Sequence, residues 1–143
     1  MSSIDFTSVL GQRVLHQLET EEVVWLTTVS PKGRPQPSPV WFIWRDGEII
    51  IFSEPGAPKV RNIGNNPHVA LSFNTDEEGD RVTIFQAEAR LQETPLTGAD
   101  IEQFPDYVEK YRAGLARLNM NPDTMLGQYS QVIIITPTSL RGW

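Results

Sequence analysis

Pro35-Gln36-Pro37-Ser38-Pro39-Val40-Trp41-Phe42-Ile43-Trp44 decides how this chain folds. Val40 to Trp44 read as a strand, and the three prolines before them fall on alternate positions. In a strand, alternate residues direct their N–H groups toward the same edge. Prolines in one phase therefore remove every donor from one edge, and this segment cannot lie between two fully paired neighbours. Two readings follow. The prolines protect an edge from unwanted pairing, or they mark where a barrel is split and leaves a groove for a flat ligand. Alternation sends Trp41 and Ile43 to one face and Phe42 and Trp44 to the other. Core packing and a share in a ligand pocket are both open to these aromatics.

On the N-terminal side, Val23-Val24-Trp25-Leu26-Thr27-Thr28-Val29 is dense in β-branched and aromatic residues, and Pro31-Lys32-Gly33-Arg34 turns it into a hairpin with residues 35–45. On the C-terminal side, Asp46-Gly47 is a two-residue hairpin turn leading into a strand over residues 48–53. An opening helix is expected over residues 7–22, capped by Thr7 or Ser8, with Val9, Leu10, Val14 and Leu18 as its apolar stripe. Pro58 suits the first position of a short helix that ends before Asn66-Pro67. Strands are predicted over 68–74 and 81–92, joined by the acidic loop at 76–80, and a last one over 131–136. Residues 98–118 have helical spacing, and Pro105 inside the run implies a kink or two helices there. The sum is one domain over residues 1–143, mainly β (α+β): about six strands in an antiparallel split β-barrel with peripheral helices.

Composition narrows the function. The chain has no cysteine, which excludes disulfides, thiolate catalysis and cysteine-bound metals. A formal charge of −6 argues against a nucleic-acid partner, whose phosphates call for a basic face. No apolar run is long enough for a membrane span. The opening residues, Ser2 and Ser3 among them, lack the basic-then-apolar order of a secretory signal, so a cytoplasmic location is expected. An anionic ligand would need a locally positive pocket. The stretch Ser53-Glu54-Pro55-Gly56-Ala57-Pro58-Lys59-Val60-Arg61-Asn62 offers one, with a hydroxyl, two cations and an amide at a strand-to-helix turn. Such a turn suits a phosphate, and it equally suits plain solvated surface. It lacks the glycine spacing of the nucleotide-binding loops.

The order of these segments resembles the pyridoxamine 5′-phosphate oxidase-like superfamily of flavin-binding split barrels. The resemblance runs from Leu26-Thr27-Thr28-Val29 and Pro31-Lys32-Gly33-Arg34-Pro35 through Pro39-Val40-Trp41-Phe42 and Ile51-Phe52-Ser53. It continues over Lys59-Val60-Arg61-Asn62-Ile63, Asn66-Pro67-His68-Val69-Ala70-Leu71 and residues 82–91. Within the superfamily the chain looks most like the short F420- or FMN-dependent proteins. The resemblance implies a homodimer with FMN or coenzyme F420 at the subunit interface, acting as an oxidoreductase on a small-molecule substrate. Val40, Trp41 and Phe42 would border the ring system, and Ser53 and Lys59 would hold the phosphate with support from Asn62 and Arg61. Arg81 would face the cofactor, and Trp143 would reach the partner's site.

Two departures bear on activity. Vitamin B6 oxidases of the family close with an Arg-x-His pair, whereas this tail reads Ser139-Leu140-Arg141-Gly142-Trp143. A basic residue common just before the phosphate lysine is Pro58 here. Pyridoxamine phosphate oxidation is therefore disfavoured. No catalytic acid or base stands out: His16 lies in the opening helix and His68 opens a strand, and Tyr107 and Tyr111 read as packing residues. That suits a flavin enzyme, where the cofactor carries the hydride. The alternative is a non-catalytic flavin- or haem-binding split barrel, for which His68 is the only histidine near the barrel.

Overall fold

The computed structural model describes residues 4–143; Ser2 and Ser3, used above, lie outside them. Helix α1 (Val9–Thr20) leads into β1 (Val23–Val29), β2 (Pro35–Trp41), β3 (Ile43–Arg45) and β4 (Glu48–Ser53). Helix α2 (Pro58–Asn65) follows, then β5 (His68–Ser72) and β6 (Thr83–Leu91). A 3-10 helix (Gly98–Gln103) and helices α3 (Pro105–Lys110), α4 (Arg112–Arg117) and α5 (Pro122–Gln128) precede the last strand, β7 (Gln131–Gly142). The strands form one antiparallel sheet in the order β2-β1-β5-β6-β7-β4-β3. Its two end strands, β2 and β3, are separated in the chain by Phe42 alone. That short link curls the sheet round on itself into a split barrel.

β2 pairs with β1 and with no other strand, and its prolines sit opposite Val29, Thr27 and Trp25. The donor-stripped edge thus faces away from the sheet, as three prolines in one phase require. The barrel carries seven strands rather than six, because residues 35–45 are not one continuous strand. At Phe42 the ladder is replaced by side chains: the Phe42 N–H donates to the Tyr111 hydroxyl at 2.9 Å, and its carbonyl accepts from Lys110 Nζ at 2.9 Å. Asp46 and Gly47 both have positive φ, 52° and 77°, the geometry of the two-residue turn read from the sequence.

Alternation along the bend divides the apolar residues between two cores. Val40 and Phe42, with Trp44 packed beside them, enter the barrel interior among Leu26, Ile49, Ile51, Leu71, Phe85, Ile133 and Ile135. Helix α1 closes this core with Val14 and Leu18. Ile43, with Trp41 packed against it, faces a second core outside the barrel, made with Phe52, Phe104, Tyr107, Tyr111, Leu115, Met125, Leu126 and Val132.

Several boundaries differ from the sequence reading. Helix α1 is shorter than 7–22, and Ser8 caps it by accepting the Gly11 N–H at 2.9 Å. The 98–118 run is broken at Pro105, as that residue implied, rather than kinked. It is a 3-10 turn and two short helices, and α5 after it went unpredicted. The last strand passes beyond Thr136 to Gly142, because a bulge opposite Gln86 and Ala87 accommodates Pro137. Arg81 precedes β6 rather than starting it, with a positive φ of 58°. No helix among the described residues is long and apolar enough to cross a membrane.

Candidate cofactor site

Where the donor-stripped strand leaves the barrel, the sheet opens. A cleft of about 310 Å³ lies there, in the size range of small-molecule sites. One wall is the end of β2, Pro39, Val40 and Trp41, and the floor is Phe52, Ser53 and Glu54 at the end of β4. Ala57 and Lys59 close one end from the start of α2. The outer wall belongs to the helical layer, through Tyr107, Leu118, Met120, Met125 and Tyr129.

The aromatic wall is held from behind. Trp41 stacks on Tyr111 with ring centres 4.4 Å apart and planes 7° from parallel. Gly114 on α4 allows this approach, since a Cβ there would lie 2.8 Å from the Trp41 ring. The Tyr111 hydroxyl donates to the Glu22 carbonyl at 2.6 Å while accepting the Phe42 N–H. Lys110 Nζ stands 3.7 Å from the centre of the Phe42 ring. Burial pushes this ammonium down to about 8, against the pull of Glu22 and Glu21. Burial also raises the Tyr107 and Tyr111 phenols above their ordinary range, so both stay protonated at neutral pH.

The polar end carries a balanced pair of charges. Lys59 and Glu54 line the same cleft, with the buried Ser53 between β4 and the turn. Ser53 Oγ donates to the Glu54 carbonyl at 3.0 Å, and a hydroxyl can rotate this proton toward a better acceptor. The Glu54 carboxylate accepts from Gln128 Nε2 at 3.1 Å, which joins the floor to α5. Helix α2 starts with Pro58, which has no N–H, and the Val60 N–H donates to the Ala57 carbonyl at 3.0 Å, so its first turn leaves the Lys59 N–H for a ligand or water. Arg61 does not line the cleft; its Nη1 donates to the Gly56 carbonyl at 2.8 Å and braces the turn from outside. The buried Asn62 donates to Thr28 Oγ1 at 2.9 Å and to Gln36 Oε1 at 2.7 Å, tying α2 to β1 and to the proline strand.

Of the residues named from the sequence, Val40, Trp41, Ser53 and Lys59 therefore meet in one cleft. Asn62 and Arg61 support its polar end. Phe42 lies wholly inside the barrel core behind Trp41. Arg81 and Trp143 are both exposed and lie together elsewhere, flanking the backbone pair in which Val82 N–H donates to the Trp143 carbonyl at 2.9 Å. The sequence reading missed Glu54 and the outer wall. Tyr107 was legible as a packing residue, and it does pack on Phe52 at 4.8 Å while also facing the cleft. Nothing in the spacing of Met120, Met125 and Tyr129 distinguishes cleft from core. Neither histidine reaches the cleft: His68 is exposed beside Glu88, 4.0 Å away, and His16 is on α1. No cluster of metal-ligating residues occurs among the described residues.

These residues fit a flat ligand ending in a phosphate: a rigid aromatic wall, a hydroxyl, an ammonium and a helix start at one end. The comparisons agree with the fold. The chain aligns with an F420 reductase structure at 23% identity, covering 88% of this chain and 94% of that one, with a TM-score of 0.65. HutZ, the heme storage protein from Vibrio cholerae, matches at 18% identity over 93% of this chain and 94% of its own, with a TM-score of 0.64. General Stress Protein 26 from Bacillus anthracis str. Sterne matches at 16% identity over 92% and 97%, with a TM-score of 0.62. At such identities the likeness is one of fold. No curated protein matches the chain in sequence. The family model for pyridoxamine 5′-phosphate oxidase matches residues 10–143, and so the chain belongs to that family.

Proposed function

We propose that this protein is a flavin-dependent oxidoreductase that holds FMN or F420 in the cleft and moves hydride to or from a small organic substrate. The observation that carries the reading is the meeting of Ser53 and Lys59 with the Val40–Trp41 wall in one cleft. Lys59 and Ser53 bind the phosphate, and the first turn of α2 adds the Lys59 backbone N–H. Asn62 and Arg61 hold that turn in place. Trp41, fixed by Tyr111 and Gly114, orients the ring and excludes water from one side. The bound flavin supplies the redox chemistry. The protein needs no dedicated acid–base pair for that, and among the described residues the only carboxylate lining the cleft is Glu54.

The structural likeness to an F420 reductase supports this reading. The missing Arg-x-His in the tail speaks against pyridoxamine 5′-phosphate as substrate. A homodimer completes the proposal, with the exposed Arg81 and Trp143 of one subunit offered to the other's cleft.

The second reading is haem binding without turnover. It is favoured by the likeness to HutZ and by Met120 and Tyr129 in the cleft, side-chain types that ligate haem iron. The absence of both histidines from the cleft weighs against it. An absorption spectrum of the purified protein, followed by FMN and F420 titrations, separates the two. Flavin binding without a Soret band supports the proposal; a Soret band with no flavin binding overturns it.

A further inference from the structure

Tyr107 and Tyr111 stand four residues apart and are equally deep, 3% and 1% exposed, with ring centres 4.8 Å apart. Their hydroxyls are treated differently. That of Tyr111 is fully used: it accepts the Phe42 N–H and stands 2.6 Å from the Glu22 carbonyl and 2.9 Å from the Phe42 carbonyl. The Tyr107 hydroxyl has no hydrogen bond to any described residue. Nor is it sealed in the core, since among the described residues Arg13 Nε is the only unpartnered side-chain polar atom shut away from solvent. Its opening is the cleft that Tyr107 lines. Tyr129 lines the cleft too, but it is only half-buried, and water can serve its hydroxyl.

A hydroxyl this deep normally finds a partner, because its desolvation is otherwise uncompensated. Packing does not account for it. A phenylalanine would fill the same space against Phe52 and Tyr111 without that cost. Burial keeps the phenol protonated well above neutral pH, with the neighbouring Tyr111 and Tyr129 phenols adding to the rise, so it offers a proton and carries no charge. The wall around it is apolar, through Leu118, Met120 and Met125, and a neutral donor there suits a neutral acceptor. The phosphate already has Ser53 and Lys59. Tyr107 belongs instead to the aromatic cluster behind Trp41, since its ring lies against Tyr111, on which Trp41 stacks. We infer that Tyr107 positions the cofactor's ring, its hydroxyl donating to a pyrimidine carbonyl of the flavin or deazaflavin held against Trp41. The inference rests on the flavin reading above.

Tyr107→Phe tests this without any turnover, because it removes the hydroxyl and keeps the ring. The probes are FMN and F420, whose ring systems both carry two pyrimidine carbonyls. Three quantities are measured on wild-type protein and variant: the melting temperature without ligand, the dissociation constant of each cofactor, and the infrared carbonyl bands of the bound one. The unliganded melting temperature should hold or rise, since no bond within the protein is lost. Binding of whichever cofactor the wild-type protein takes should weaken about three- to tenfold, the range for one neutral hydrogen bond. A carbonyl band of the bound ring should move to higher wavenumber in the variant, as a carbonyl does when it loses a donor. A lower melting temperature of the unliganded variant assigns the hydroxyl to the fold and overturns the inference. Unchanged affinity overturns it too, and so does weaker binding with unmoved carbonyl bands, which would put the contact on the phosphate or chain. Each of these leaves flavin binding standing. Failure of the wild-type protein to bind either cofactor overturns the flavin reading, and the inference falls with it.

Discussion

β6 and β7 are paired neighbours through most of their length, yet they are built on opposite plans. β6 alternates: Phe85, Ala87 and Ala89 are buried, while Gln86, Glu88 and Arg90 are exposed. β7 is apolar on both faces, with Ile133 and Ile135 in the barrel and Val132 and Ile134 in the outer core. β4 repeats this, with Ile49 and Ile51 inside and Ile50 and Phe52 outside. The helices between β6 and β7 fold back over β4 and β7, so a second layer covers one half of the sheet and leaves the other wet. The cleft forms at the margin of the covered half. Its floor is barrel and its outer wall is the helical layer.

The largest expected effect separates the two halves. Leu126→Ala removes a fully buried side chain from the outer core and should cost about 2–5 kcal/mol in urea unfolding. Glu88→Ala on the wet face of β6 should change stability by no more than about 0.5 kcal/mol. Comparable losses from the two would break the contrast.

A smaller effect is expected at the join of the two layers. Gly114→Ala places a methyl 2.8 Å from the Trp41 ring, so the indole must move off its stack on Tyr111. The cost should be about 1–3 kcal/mol, typical of overpacking, with a shift in tryptophan emission and weaker flavin binding. An unchanged spectrum would show that the layers do not set the position of Trp41.

The smallest effect is one of pH. Lys110 titrates near 8 in the fold and near 10.5 when unfolded. Between these values the unfolded chain holds the proton and the folded chain does not, so this group makes stability rise with pH from about 8 toward 10. Below 8 its penalty is fully present. Above pH 10 the buried phenols of Tyr107 and Tyr111 act in the opposite sense, because the fold keeps protons that the unfolded chain releases. Lys110→Met should flatten the slope between pH 8 and 10 in melting curves. A slope unchanged by the substitution would remove Lys110 from the account.

What the sequence revealed follows the same division. Proline phase, alternation and the Asp46-Gly47 turn are local properties, and each was enough to place its strand. The break at Phe42 was hidden because it depends on Tyr111 and Lys110, some 68 or 69 residues away in the chain. The run of the last strand beyond Thr136 was hidden because the bulge that admits Pro137 is formed with β6. The polar end of the site was legible for a similar reason: Ser53, Lys59 and Asn62 lie on one short strand-turn-helix segment. The outer wall was not, since Met120, Met125 and Tyr129 become cleft residues only when the helical layer is laid over β4. Glu54 was overlooked because exposed carboxylates are common in this acidic chain, and only the position of Gln128 shows that it is held.

The central claim is that a flavin phosphate sits between Ser53 and Lys59. Its most direct test is the dissociation constant of FMN and of F420 for wild-type protein and Lys59→Ala, measured alongside their melting temperatures. The account predicts at least about tenfold weaker binding by the variant, the loss expected for a charge-assisted phosphate contact, with the melting temperature unchanged. Full retention of affinity in a folded Lys59→Ala protein would contradict it.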